Sequence, residues 1–131
     1  MIFNDTMTVY NFTSDKWYRT VVKGIQWRHT RHRMTLTPSG TYTLADDEII
    51  TVDFSKDNGY VEPEAYTGEG WTLDVSTKKD VVVFGIAEEE ITDDYTIAQL
   101  LKQYRGKSGI VRSVTDARNR PYLPIIKVVA N

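Results

Sequence analysis

Polar and apolar residues alternate along most of the first half of the chain. Thr6-Met7-Thr8-Val9-Tyr10-Asn11-Phe12 is rich in β-branched and aromatic residues and reads as a strand. Residues 17–28 form a second, longer candidate. Tyr18, Thr20 and Val22 share one face, and Trp17, Arg19 and Val21 the other. Ser14-Asp15 supplies the turn between them, and Gly24 marks a bulge or bend. A short alternating stretch at 34–37 stops at Pro38-Ser39-Gly40, a turn signal. The clearest strand is 48–54, where Ile50, Val52 and Phe54 point one way and Thr51 and Asp53 the other. Asn58-Gly59 opens a looser region with Pro63, Gly68 and Gly70, read as a flexible loop over 55–70 with one turn near 62–66. Residues 71–73 and 80–84 are two more short strands around a polar turn at 76–79. The unbroken apolar run 81–84 reads as a strand buried on both faces.

One helix interrupts this pattern. Thr96 and Gln99 fit a capping box, and Ile97, Leu100, Leu101 and Tyr104 recur on one face. Asp93 and Asp94 precede it, Lys102 and Arg105 end it, and Gly106 suits its C-terminal cap. Residues 110–114 and 122–129 are terminal strands around the polar loop 115–121. The pattern predicts one domain over 1–131 of mainly β class, all-β or α+β. The expected architecture is a small β-barrel or sandwich of about seven to nine strands, with one helix packed on it near 96–105.

Composition narrows the function more than the fold. The 131 residues include no Cys, which excludes disulfides, thiolate metal sites and cysteine nucleophiles. No segment reaches the length of a membrane span, and the first residues lack the pattern of a secretory signal. The net charge of −2 conceals three blocks: residues 1–43 carry +4, 44–96 carry −12 and 97–131 carry +6. Such a chain does not coat nucleic acid, but it offers opposite signs for docking.

The motifs with chemical potential are weak. His29 and His32 are three apart, so on a strand they face opposite sides, and Arg28, Arg31 and Arg33 would repel a cation. Gly106-Lys107-Ser108 lacks the upstream glycine of a phosphate-binding loop, the required position being Leu101. No Gly-x-Ser-x-Gly elbow surrounds any serine, and no nucleophile–base arrangement is readable, so no enzyme, catalytic residue, metal or cofactor is expected. The acidic run Glu88, Glu89, Glu90 and the basic-aromatic groups Trp27, Arg28, Arg31, Arg33, Arg118 and Arg120 remain as candidate interaction surfaces. Cations beside aromatics also suit phosphate contact, so a small nucleic-acid-binding β-barrel is the alternative.

The order of segments resembles small structural proteins of tailed phages and prophages of Gram-positive bacteria, of the minor capsid or head–tail joining type, together with a related family of unknown function. The resemblance lies in the opening residues 3–11, in 16–28, in Glu90-Ile91-Thr92-Asp93-Asp94-Tyr95, in 116–120 and in 125–129, and spans about residues 3–130. Pro124 departs from it, placing a residue without a ladder donor before the last strand. The resemblance implies a non-enzymatic virion protein made in the bacterial cytoplasm, with no membrane partner. Its implied partners are the portal, an adaptor or other neck proteins, with a homo-oligomeric ring on assembly and weak contact with DNA.

Overall fold

The turn at Ser14-Asp15 is made by two residues of positive φ, 50° and 61°. Two consecutive left-handed residues are the condition for the type I′ turn, whose twist matches that of an antiparallel pair. It joins β1 (Asp5–Thr13) to β2 (Lys16–Arg33). The computed structural model describes residues 3–33, 44–76 and 79–131, with the backbone alone for 31–33 and 44–46. There follow β3 (Leu44–Asp53), β4 (Val81–Phe84), α1 (Ile97–Gln103), β5 (Ser108–Ala117) and β6 (Ile125–Ala130).

Every neighbouring pair is antiparallel, and the order β1-β2-β3-β6-β5-β4 closes on itself as a barrel. Six strands among the described residues replace the expected seven to nine. The candidate strand 34–37 and its turn at 38–40 lie outside the described residues. The candidate at 71–73 is a mouth plug, described below. The last strand begins at Ile125, not at 122, because Pro124 stands just ahead of the ladder. Its carbonyl accepts from Phe54 N at 2.9 Å, so the missing donor does not break the seam.

Gly24 is the bulge residue. The β1–β2 register shifts there, with Thr6 opposite Lys23 and Asp5 opposite Ile25. Gly24 sits between them at φ 78°, a conformation that costs glycine little. The extra residue reverses the alternation, so Val22 and Ile25, three apart, both reach the core.

Two apolar layers result. Met7, Val9, Val22, Ile25, Ile50, Val52, Val82, Val111, Ile126 and Val128 fill the barrel. Outside the β1–β4 wall, Tyr10, Val81, Val83, Ala87 and Leu100 form a second layer, joined by Trp17, Ile91, Ile97 and Leu101. α1 covers that wall, which is why 81–83 are buried on both faces. Phe84 is the exception to the expected run, being exposed where β4 ends. The helix starts at the capping box predicted for Thr96 and Gln99. Gly106 takes φ 82°, two residues beyond the C-cap Tyr104.

Strand direction defines two ends. The upper end carries the 14–15 turn, the end of β3 and the β5–β6 loop; the lower end carries the start of β1 and the exit of β4. The segment 54–76 plugs the upper mouth. Trp71 and Leu73 enter the barrel core. Asn11, buried on β1, donates from Nδ2 to Thr72 O at 2.7 Å and accepts from Thr72 N at 3.2 Å. One side-chain amide thus supplies the donor and acceptor of a missing strand neighbour. The loop before it is tied down by Val61 N to Trp71 O at 2.8 Å, by Trp71 Nε1 to Asn58 O at 2.8 Å, and by a 3-10 turn at Pro63–Ala65.

Asn11→Ala strips both partners from a buried peptide unit and should cost roughly 2–4 kcal/mol, against about 1 kcal/mol for Thr96→Ala at the helix cap. Urea unfolding of the two variants checks the ranking; equal losses would mean that water replaces the amide.

Candidate interaction surface

The expected surface residues divide into those that the fold occupies and those left facing solvent. Trp27 belongs to the first group. Beyond the Gly24 bulge its ring turns into the lower mouth, packs on the core, and meets Phe84 edge-on at 5.6 Å. Its Nε1 donates to Glu48 Oε2 at 2.7 Å, and its backbone N donates to Asp5 Oδ2 at 3.0 Å. Glu48 is itself buried and also meets His29 Nδ1 at 2.6 Å. That carboxylate is held by two β2 side chains across the β2–β3 ladder, a cross-strand arrangement that stabilises the pair.

Arg28 is exposed on the outer face of β2. Arg31 and Arg33 stand opposite Asp46 and Leu44 in the register, where only the backbone is described. The basic end of β2 therefore lies against the acidic beginning of β3. Sequence blocks of opposite sign become adjacent strands here, not separate flanks.

Arg118 is likewise occupied. Its guanidinium contacts Asp116 Oδ2 at 2.6 Å and Glu62 Oε1 at 2.5 Å. It also lies 5.5 Å from the Phe54 ring centroid and 5.2 Å from that of Tyr60. The Asp116 hydrogen bond, then that of Glu62, raises its pKa further above the usual arginine value. Its partners connect the β5–β6 loop to the upper plug, and its role there is bracing. Arg120, two residues on, is exposed and has no ion pair among the described residues.

The acidic run separates in the same way. Glu89 accepts from Tyr104 Oη at 2.6 Å and from Gln103 Nε2 at 2.9 Å, both on the last turn of the helical segment. Its backbone carbonyl accepts from Tyr10 Oη at 2.5 Å. The Tyr104 hydrogen bond is the chief reason the Glu89 carboxyl titrates below its usual value, and it pushes Tyr104 up to about 12. Nearby, Arg19 Nε donates to Ala87 O. These bonds fasten segment 87–95 and the helix to the barrel wall. Glu88 and Glu90 point outward.

Several hollows mark the surface, among them one of about 510 Å³ beside the Gly24 bulge and one of about 410 Å³ at Asp116, Arg118 and Asn119; others lie beside the β1–β2 turn. An open hollow of about 510 Å³ has a floor of Phe12, Trp17, Ile91 and Ile97 and a rim of Asp15, Lys16, Asp93 and Thr96. An adjoining apolar cleft of about 280 Å³ continues past Val81, Leu101 and Ile110, with Lys79 over the Phe12 ring. None of the expected surface residues lines either, but Glu90 lines a third hollow of about 270 Å³ with Tyr10, Trp17, Tyr18, Arg19 and Ile91. Among the described residues no group of three His, Cys, Asp or Glu side chains is placed to hold a metal. No helix among them is long and apolar enough to cross a membrane.

Three contributors were not singled out from the sequence. Ile86 is an exposed apolar residue outside any periodic element, Leu123 fell within the expected strand 122–129 but precedes β6, and Glu48 looked like the polar start of a strand. An isoleucine between Gly85 and an acidic run was the one available signal for Ile86.

The architecture is thus a closed antiparallel barrel with both mouths stopped by aromatic side chains and one wall covered by a helix. The chain belongs to DUF6751, a family of unknown function, whose model matches residues 2–131. No curated protein and no solved structure matches it.

Glu89 gives a pH test. Its folded pKa lies below the ordinary 4.5, so its stabilisation is complete above pH 4.5 and fades as pH falls through the folded value. Asp80 acts with the opposite sign: burial raises its pKa above 3.8, so stability falls as pH rises through that window. Comparing wild type with Glu89→Gln cancels the Asp80 effect. The stability difference should be full at pH 6 and shrink towards pH 3; a pH-independent difference would mean that the charge of Glu89 is irrelevant.

Proposed function

We propose that the chain is a non-enzymatic assembly protein, a virion structural component of a tailed phage or prophage that acts at the head–tail junction. The observation that carries the assembly part is the placement of the unoccupied candidate side chains. Arg28, Glu88 and Arg120 project from a braced barrel away from the hollows beside the β1–β2 turn, and Glu90 alone of the four lines one of them, with Tyr10, Trp17, Tyr18, Arg19 and Ile91. Exposed charges on a stiff scaffold steer and register a partner, whereas a catalytic site gathers titratable groups in a pocket. The setting in a phage neck rests on the segment order from residue 3 to 130, with the portal, an adaptor or another neck protein as partner and the virion as location.

The nucleic-acid alternative has less support. Arg118 is engaged by two carboxylates and Trp27 by Glu48, which removes two members of the basic-aromatic groups from phosphate or base contact.

Mixed with its cognate portal or adaptor ring, the protein should co-migrate as one large complex in size-exclusion chromatography. Separate migration with every neck component would overturn the neck role. DNA titration at low salt should show at most weak binding; tight binding that falls steeply with salt would favour the alternative.

A further inference from the structure

One side of β2 outruns its neighbour. The strand pairs with β1 over 16–25 but with β3 only over 25–33, because β3 ends at Asp53, one residue past the Ile25–Val52 pair. Above the Gly24 bulge, the side of β2 turned away from β1 has no strand beside it among the described residues.

Register decides which peptide groups face that side. Phe12 N donates to Asp80 Oδ1, and Thr6 O accepts from Gly85 N, so the even-numbered residues of β1 bond towards β4. Met7, Val9 and Asn11 are left to bond β2, through Val22, Thr20 and Tyr18. The N–H and C=O groups of Trp17, Arg19 and Val21 therefore point outward. Among the described residues no hydrogen bond from another segment reaches them. The plug passes nearby without pairing. Gly68 sits against the Tyr18 ring, and Thr20 Oγ1 donates to Gly70 O at 3.1 Å, both contacts being made by inward side chains. Residues 17–21 leave about 13 Å of open edge, enough to seat five residues of an extended chain.

Concave surface borders this run. The hollow of about 270 Å³ holds Trp17 and Arg19 at one end of it. The hollow of about 510 Å³ beside the bulge holds Val21 and Lys23, with Asp53, Lys56 and Asp57 on its other wall, where β3 would have continued. The charges of that wall differ in their engagement. Asp53 accepts from Ser55 N and Ser55 Oγ, both at 2.9 Å, and Asp57 from Gly59 N at 3.1 Å. Lys23 and Lys56 are exposed and have no hydrogen bond or ion pair among the described residues.

We infer that this edge of β2 receives an extended segment of a partner protein, which adds a strand to the barrel. The occupant is backbone because three peptide groups offer donors and acceptors at strand spacing. Its outward side chains stand beside Trp17 and Val21 and are β-branched or aromatic, and a carboxylate at one end meets Lys23 and Lys56. Lys16 and Lys23, exposed at the two ends of the run, oppose indiscriminate pairing, so that carboxylate selects the partner. Arg19 leaves the edge open, since its side chain is fixed on Ala87 O. The inference rests on the assembly reading above and names the form that the partner presents.

Amide exchange of the full chain, followed by NMR, reads the edge directly. In the free protein the amides of Trp17, Arg19 and Val21 should exchange at least about tenfold faster than those of Tyr18, Thr20 and Val22. Short random peptides selected on the protein should converge on alternating β-branched or aromatic residues with an acidic end, and the synthesised peptide should slow the same three amides. Val21→Pro removes an outward N–H only, so it should weaken peptide binding about tenfold or more with little change in melting. Thr20→Pro, which breaks a bond to β1, should lower the melting temperature. Lys23→Glu with Lys56→Glu should also weaken binding, and a peptide with lysine in place of its acidic residue should restore it. Slow exchange of the three amides in the free protein would overturn the inference. So would selection that yields no peptide, peptides that leave those amides unprotected, or equal binding by Val21→Pro. Peptides that behave as expected, on a chain that joins no neck component, would leave the edge and remove the neck role. A portal or adaptor complex formed equally by Val21→Pro, with no peptide engaging the edge, would do the reverse.

Discussion

The structure depends on stopping the mouths of a small barrel. A closed antiparallel sheet satisfies its own ladder, but its ends expose apolar interior to water. At the upper end the solution is a peptide that is not a strand. Trp71 and Leu73 enter the core, and Asn11 holds the peptide unit at Thr72 with paired hydrogen bonds of 2.7 and 3.2 Å. Burying that peptide without partners would cost several kcal/mol of the barrel's small net stability, so the amide makes the plug permissible. The Phe54–Tyr60–Trp71 aromatic group packs around it, and Arg118 lies over two of its rings. The β5–β6 loop therefore inherits its position from an asparagine on β1.

The charge blocks of the sequence acquire a different meaning after folding. The basic run in β2 lies beside the acidic start of β3, Arg118 binds Glu62 and Asp116, and Glu89 is bound by Tyr104 and Gln103. Arg118 and Glu89 thus hold elements together where their composition suggested a free surface. Of the candidate surface charges, Arg28, Glu88, Glu90 and Arg120 are exposed.

Local chemistry made some features readable from the chain alone. The Ser14-Asp15 turn, the Gly24 bulge, the Thr96–Gln99 capping box and the doubly buried run 81–83 each follow from residues close in sequence. The plug was not legible, because residues 71–73 carry a strand-like composition and their partner, Asn11, is 61 positions away. The occupied site residues were hidden for the same reason. Trp27 and Arg118 have the composition of anchors, but Glu48 and Glu62, which occupy them, are brought close only by the β2–β3 ladder and the upper plug. Exposure of Ile86 depends on how the chain leaves β4, a tertiary matter that periodicity does not report.

The position of β6 in the ring has a kinetic consequence. It bonds to β3 on one side and β5 on the other, and its residues pair with partners as distant as Glu48 with Ala130. Until residues 125–130 are available, β3 and β5 are both open edges and the ladder is a sheet, not a barrel. Such long-range closure is slow compared with hairpin formation. Synthesis at the ribosome therefore passes through an interval in which Ile50 and Val52 are arranged but not enclosed, and the nascent chain is most vulnerable to misassociation just before its final strand emerges.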